Sequence, residues 1–253
     1  MSQKIKKTIK TNYKWIIFFI CLILFLALAE DIFTKELIKS DTIGYELIST
    51  YLIKDNITPF AKTITFFGSP ICLILTTIIL FILIKNKKIG LLITINLITI
   101  TILNQLLKFI LQRPRPEELR IINENGYSFP SGHSMVSMAF YGLLIYLIYK
   151  NIKNKYTKTI LILTLSLLII MIGISRIYLG VHYTSDVLAG FLLSISYLIV
   201  YINITKKMIT NNKKTIKKTK LVWNTTNFFN ALKQKNKKSE EFFQKICFIY
   251  MKG

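Results

Sequence analysis

The chain has 253 residues, 52% of them hydrophobic, with a mean hydropathy of +0.47 and a formal net charge of +22. Apolar runs of about 20 residues exclude an ordinary soluble domain and predict a polytopic helical membrane protein. The positive charge does not make it a nucleic-acid binder, because the lysines lie between the apolar runs and in the tail, as in cytoplasmic loops facing anionic lipid. No zinc-finger or RNA-binding signature and no GxxxxGK[ST] or GxGxxG loop is present. Cys21, Cys72 and Cys247 have no paired spacing, so neither a disulfide framework nor a thiolate metal site is implied.

Residues 1–14 form a basic N-terminus, carrying Lys4, Lys6, Lys7, Lys10 and Lys14. The first apolar run, Trp15 to Ala29, is short for a crossing, and its Ala27-Leu28-Ala29 end resembles a signal-peptidase site, so a retained helix stands beside a cleaved signal as alternatives. Residues 30–59 collect Glu30, Asp31, Glu36, Asp41, Glu46 and Asp55. Within them Tyr45, Ile48, Tyr51 and Leu52 recur at helical spacing and predict a short amphipathic helix at the interface, with Leu37 and Ile38 pointing to a second. Further spans are expected at 60–84, 89–111, 132–149, 159–178 and 186–204. The expected fold is therefore all-α, a six-transmembrane-helix bundle over residues 15–205, with short interfacial helices between the first two spans. Residues 206–253 are expected to be a lysine-rich, partly disordered cytoplasmic tail drawn to acidic headgroups, with Trp223, Phe228, Phe229, Phe242 and Phe243 as aromatic anchors.

The positive-inside rule places the N-terminus, Lys85 to Lys88, Lys150 to Lys158 and the tail in the cytoplasm. The alternate segments then face outward. All of the arginines, Arg113, Arg115, Arg120 and Arg176, fall on that outer side, in a chain that uses lysine nearly everywhere else. Arginine's planar fork suits bidentate phosphate contacts.

Three outward clusters carry the chemistry. Lys108, Arg115 and Arg176 can together neutralise a phosphate and the charge that spreads over its oxygens during transfer. A lysine inside an apolar run costs about 2.5–3.5 kcal/mol on insertion, which marks Lys108 as functional unless it snorkels to the interface. Arg113 and Arg120 read instead as surface charges. In Pro130-Ser131-Gly132-His133, Ser131 can cap a helix, Gly132 allows a phosphate oxygen close to the backbone, and His133 is placed to protonate a leaving oxygen. His182 and Asp186 are four residues apart, so on one helical turn the carboxylate can hold one ring nitrogen and leave the other free to attack phosphorus. Two histidines and no neighbouring thiolate make a metal site a poor reading.

Lys108-x6-Arg115-Pro116, Pro130-Ser131-Gly132-His133 and Ser175-Arg176-x5-His182-x3-Asp186 resemble the three-part signature of the type 2 phosphatidic acid phosphatase family, related to the vanadium haloperoxidases. The resemblance covers about residues 10–205, with all three parts present in the family's order. It implies a six-helix membrane phosphatase needing neither metal nor cofactor. His182 would form a phosphohistidine with Asp186 orienting it. Lys108, Arg115, Ser131, Gly132 and Arg176 would hold the phosphate, and His133 would protonate the departing group. Implied substrates are lipid phosphates and diphosphates, including undecaprenyl diphosphate, phosphatidylglycerophosphate and phosphatidic acid. A phosphotransferase passing the same phosphoryl group to a lipid or sugar hydroxyl remains open, as does a non-enzymatic scaffold acting through the tail. Oligomeric state is not legible.

Overall fold

The computed structural model describes residues 3–34, 39–54, 56–117 and 120–210, so the tail beyond 210 and the helix expected around Leu37 and Ile38 lie outside the described residues. Among the described residues there are eight helices and no strand: α1 (Gln3–Thr34), α2 (Lys39–Tyr51), α3 (Thr58–Phe66), α4 (Pro70–Leu83), α5 (Lys87–Leu111), α6 (Gly132–Asn151), α7 (Lys155–Tyr178) and α8 (Thr184–Thr210). α1, α5, α6, α7 and α8 each contain a stretch long and apolar enough to cross a membrane. The α3–α4 pair, bent by 46°, makes a sixth when its two arms are taken as one broken span.

Local chemistry sets where the helices begin and end. Asn86 caps α5 by accepting from Lys88 N at 3.1 Å, and Asn154 caps α7 by accepting from Thr157 N at 3.0 Å. α5 stops at Gln112, whose left-handed φ of 44° closes the last turn before Pro114 and Pro116 forbid its continuation. The span expected over 60–84 is interrupted at Phe67-Gly68-Ser69, because Pro70 lacks the N–H that a continuous helix needs there and Ser69 instead caps a new helix from Cys72 N. The expected amphipathic helix is α2, and its Ile48 packs against Tyr178, Leu179 and Val181.

Lipid gives helices no hydrophobic reason to associate, so their pairing rests on close packing and on polar contacts between them. α6 is the central element, packing on both α5 and α7. Asn96 of α5 donates to Ala139 O at 3.1 Å, Ser194 of α8 donates to Met135 O at 2.7 Å, and Tyr201 of α8 donates to Leu92 O at 2.6 Å. α1 closes the bundle against α8: Phe25 stacks on Phe129 with centroids 5.9 Å apart, and Phe25 and Ala29 are buried together with Ala189. Large apolar side chains such as Phe109 and Ile82 are exposed on the outside of the bundle, as lipid-facing residues should be.

Candidate active site

The α5–α6 loop, the start of α6, the end of α7 and the α7–α8 connection meet at one end of the bundle. They surround a cavity of about 500 Å³ whose walls include Lys108, Arg115, Glu124, Gly132, His133 and His182. Both histidines therefore face one space, together with two of the three expected cations. Arg176 stands behind this wall, fully buried, and meets the cavity through Glu124.

His182 lies in the α7–α8 connection, two residues before the first turn of α8, rather than on a shared helical turn with Asp186. The pairing survives by another route. Asp186 sits in the first turn of α8 and its Oδ2 reaches back to accept from Tyr183 N at 2.9 Å, in the manner of a capping box. The same oxygen faces His182 Nδ1 at 3.4 Å. Ser128 is the third member of this group: its hydroxyl donates to Asp186 Oδ2 at 2.5 Å and lies 3.2 Å from His182 Nδ1. With Nδ1 engaged as the donor, Nε2 carries the lone pair and accepts from Arg115 Nη1 at 3.2 Å. Burial pushes the His182 pKa down to about 4; the Arg176 and Arg115 charges add to this, and Asp186 opposes it.

Arg115 is anchored on its far side by Val181 O at 2.9 Å, Gly126 O at 2.9 Å and Asn125 O at 3.1 Å. Arg176 donates to Thr65 Oγ1 of α3 at 2.7 Å and to Glu124 Oε1 at 2.5 Å. Burial disfavours the Glu124 charge, but Arg176 outweighs it, and Arg115, 3.5 Å away, adds to the pull, so the carboxyl pKa is lowered. Lys108, in the last turn of α5, donates to Tyr127 O and so is tied to the α5–α6 loop as well as lining the cavity.

Ser131 does occupy the N-cap position of α6, yet its hydroxyl accepts from Ser134 Oγ at 2.9 Å and caps no backbone N–H. The first N–H groups of α6 thus lack the usual side-chain acceptor, at the helix end where Gly132 and His133 line the cavity. Gly132 is needed for close packing too, since a Cβ there would stand 3.0 Å from Asn104 Oδ1 of α5.

One expectation is overturned. Arg113 is not a surface charge: it is 3% exposed, and its Nη1 donates to Asp186 Oδ1 and Ser185 Oγ, each at 2.7 Å. Its Nη2 donates to Asp41 Oδ2 of α2 at 2.7 Å, and the guanidinium lies 4.0 Å from the centre of the Tyr183 ring. Pro114 biases Arg113 away from helical backbone, so α5 does not run on through it; its side chain is buried among Asp41, Ser185 and Asp186, while Arg115 lines the cavity. Burial works against the Arg113 charge, but the carboxylates of Asp186 and Asp41 outweigh it and raise its pKa. Arg120, by contrast, is exposed, as expected. Sequence reasoning missed Asp41, Glu124 and Ser128. The restriction of arginine to the outward segments was a usable signal for Arg113; a lone serine or acid in a polar loop offered none.

Fold and site together define a multi-pass, all-helical membrane protein with a cavity at one end of the bundle lined by Lys108, Arg115, Glu124 and two imidazoles. Residues 89–209 match the model of the PAP2 superfamily, and the chain carries a PAP2 superfamily domain. The chain is 38% identical over 108 residues to phosphatidylglycerophosphatase B of Bacillus subtilis, a match covering 42% of this chain and 53% of that protein. It thus spans about half the length of that relative. It is 28% identical over 208 residues to an undecaprenyl-diphosphatase of Sulfolobus acidocaldarius, covering 76% of this chain and 92% of the relative. The crystal structure of a transmembrane PAP2-type phosphatidylglycerolphosphate phosphatase from Bacillus subtilis superposes with a TM-score of 0.67 at 28% identity, covering 74% of this chain and 94% of that one.

Proposed function

We propose that the protein hydrolyses a phosphate monoester or diphosphate of a membrane lipid through a phosphohistidine on His182, on the face of the membrane away from the lysine-rich loops. The observation that carries this reading is the orientation of His182: Nδ1 is held by Ser128 and Asp186, and Nε2 points to Arg115 on the wall of a cavity that Lys108 and His133 also line.

In the first half of the reaction Nε2 attacks the terminal phosphorus, an N–P bond forms and the P–O bond to the leaving group breaks, the leaving group being the lipid alcohol of a monoester or the lipid monophosphate of a diphosphate. His133, as imidazolium, gives its proton to the departing oxygen. In the second half neutral His133 takes a proton from water, that water attacks phosphorus, and the N–P bond breaks to release orthophosphate. Lys108, Arg115 and the N–H groups at the start of α6 hold the charge on the equatorial oxygens throughout, and Arg176, behind the wall, adds positive charge and fixes Glu124. The charge compensation that this chemistry requires is assigned to these cations.

The lipid character of the substrate is supported by the cavity's other walls. Leu73 and Ile74 of α4 and Leu97 and Phe109 of α5 continue it from the cations into apolar surroundings suited to a hydrocarbon chain. The names of the relatives direct attention to phosphatidylglycerophosphate and undecaprenyl diphosphate.

The test is orthophosphate release by the purified full chain in detergent, from isoprenoid diphosphates and from glycerolipid phosphates, in the presence of a strong chelator. Turnover of at least one class is expected; release that appears only on adding magnesium would refute the proposal. A second expectation concerns pH. The attacking form of His182 is the neutral one, and its pKa near 4 keeps it neutral over the whole neutral range. Deprotonated His182 should thus be lost only as pH falls through about 4, so the acid limb of a bell-shaped kcat/KM profile should lie well below the ordinary imidazole value of about 6.5, while the alkaline limb reports loss of the His133 proton. An acid limb at the ordinary value would show that His182 is far less buried in the working enzyme.

A further inference from the structure

The position of Arg113 creates an electrostatic difficulty that the reaction just proposed has to overcome. A guanidinium 2.7 Å from the carboxylate of Asp186 offsets the negative charge that stabilises His182 as its ring becomes cationic on bonding to phosphorus. Asp41, buried at 3% exposure, lies on the opposite side of that guanidinium, also at 2.7 Å. Asp41, Arg113 and Asp186 together carry one net negative charge, the same as Asp186 would carry alone.

The geometry of Asp186 adds a second consideration. Its two oxygens have different partners: Oδ1 is taken by Arg113, whereas Oδ2 receives Ser128, Tyr183 N and the His182 ring. Holding Oδ1 fixes the plane of the carboxylate and so fixes which oxygen the imidazole meets. Asp41 contributes here as well, since its Oδ1 accepts from Ser185 N at 2.8 Å and ties the first turn of α8 to α2. Such contact needs α2 very close to α8, and Gly44 permits it: a Cβ at that position would fall 2.1 Å from Thr184 Oγ1.

We infer that Asp41 and Arg113 are positioning residues for the His182–Asp186 pair. Arg113 selects the carboxylate oxygen that faces the imidazole, and Asp41 supplies the counterion that keeps the group at one net negative charge. The amphipathic helix α2 is in this way part of the catalytic apparatus, although it contributes no wall to the cavity. The inference rests on His182 being the nucleophile.

A merely structural ion pair and a positioning pair make different predictions for the kcat and KM of the full chain in detergent. Asp41→Asn retains size and leaves Lys108, Arg115 and Arg176 in place, but it takes the group to zero net charge. It should lower kcat by about 10- to 100-fold, the usual cost of losing an outer partner of an active-site group, while KM and the inhibition constant of orthophosphate stay within about twofold of the parent. The double variant Asp41→Asn with Arg113→Gln removes both opposite charges and leaves an amide able to donate to Asp186 Oδ1. Its kcat should recover to within about fivefold of the parent, a non-additivity that two independent structural losses would not produce. A parental kcat in Asp41→Asn, a rise in KM matching the loss in kcat, or a double variant no faster than Asp41→Asn would each overturn the inference. Should Asp41→Asn not be recovered folded, the double variant decides alone, and a loss beyond about tenfold in its kcat rejects charge balance. A parallel His182→Ala chain that still turned over normally would sink the nucleophile reading itself, whatever Asp41 does.

Discussion

A His182→Ala variant is expected to release orthophosphate at least about 10⁴-fold more slowly than the parent, because the proposed mechanism assigns the bond to phosphorus to this ring and gives His133 the separate task of moving the proton. Binding should persist. Arg115 loses one contact, at Nε2, but remains held by Val181 O, Gly126 O and Asn125 O, so the anion-binding wall keeps its shape. The measurement is single-turnover release of orthophosphate alongside its inhibition constant. Slow release with a near-parental inhibition constant is the expected pair, and rapid release would require a different nucleophile.

Arg176→Lys is the second large effect, and it keeps the charge on purpose. The parental side chain is fully buried and uses two arms of its fork, one to Thr65 Oγ1 and one to Glu124 Oε1. An ammonium is a point charge on a flexible stem and cannot hold both partners in that plane, so Glu124 and the cavity wall that it forms lose their fixed position. Loss of such a preorganised donor is expected to reduce kcat/KM by about 10²- to 10³-fold. Part of the cost is in the ground state, since the lysine keeps the charge but loses the two-armed contact with Thr65 and Glu124. Thermal unfolding in detergent should therefore shift down together with activity. A lysine variant with activity within about tenfold of the parent would mean that charge alone suffices at this position and that the fork is dispensable.

The hydrophobic pattern made the crossings legible, and the charge distribution made the outward clusters legible, since bilayer thickness and the cost of burying a charge act directly on composition. The histidines, Lys108 and Arg115 stood out for the same reason: they are expensive residues at the ends of apolar runs. The break after Phe66 was less visible, although Gly68-Ser69-Pro70 contains its cause, because an apolar window averages over a local interruption. The inward turn of Arg113 depended on a partner 72 residues away on α2, a contact that no local pattern encodes. Ser128 and Glu124 take their positions from how the α5–α6 loop folds over the site, and spacing along the chain does not specify that fold.

The kink between α3 and α4 gives one crossing two separate obligations. Residues on the α3 side answer to α7, with Thr65 on Arg176 and Thr58 bonded to the Tyr178 hydroxyl at 2.8 Å, and Tyr141 of α6 binds the carbonyl of Phe67 at the kink itself. Leu73 and Ile74, on the α4 side, line the cavity, and Leu73 is also buried in the core with Phe140 and Ile172. On the proposed function, exchanging Ile74 would reshape the wall offered to the lipid tail without touching the α3 contacts that hold Arg176 and Tyr178.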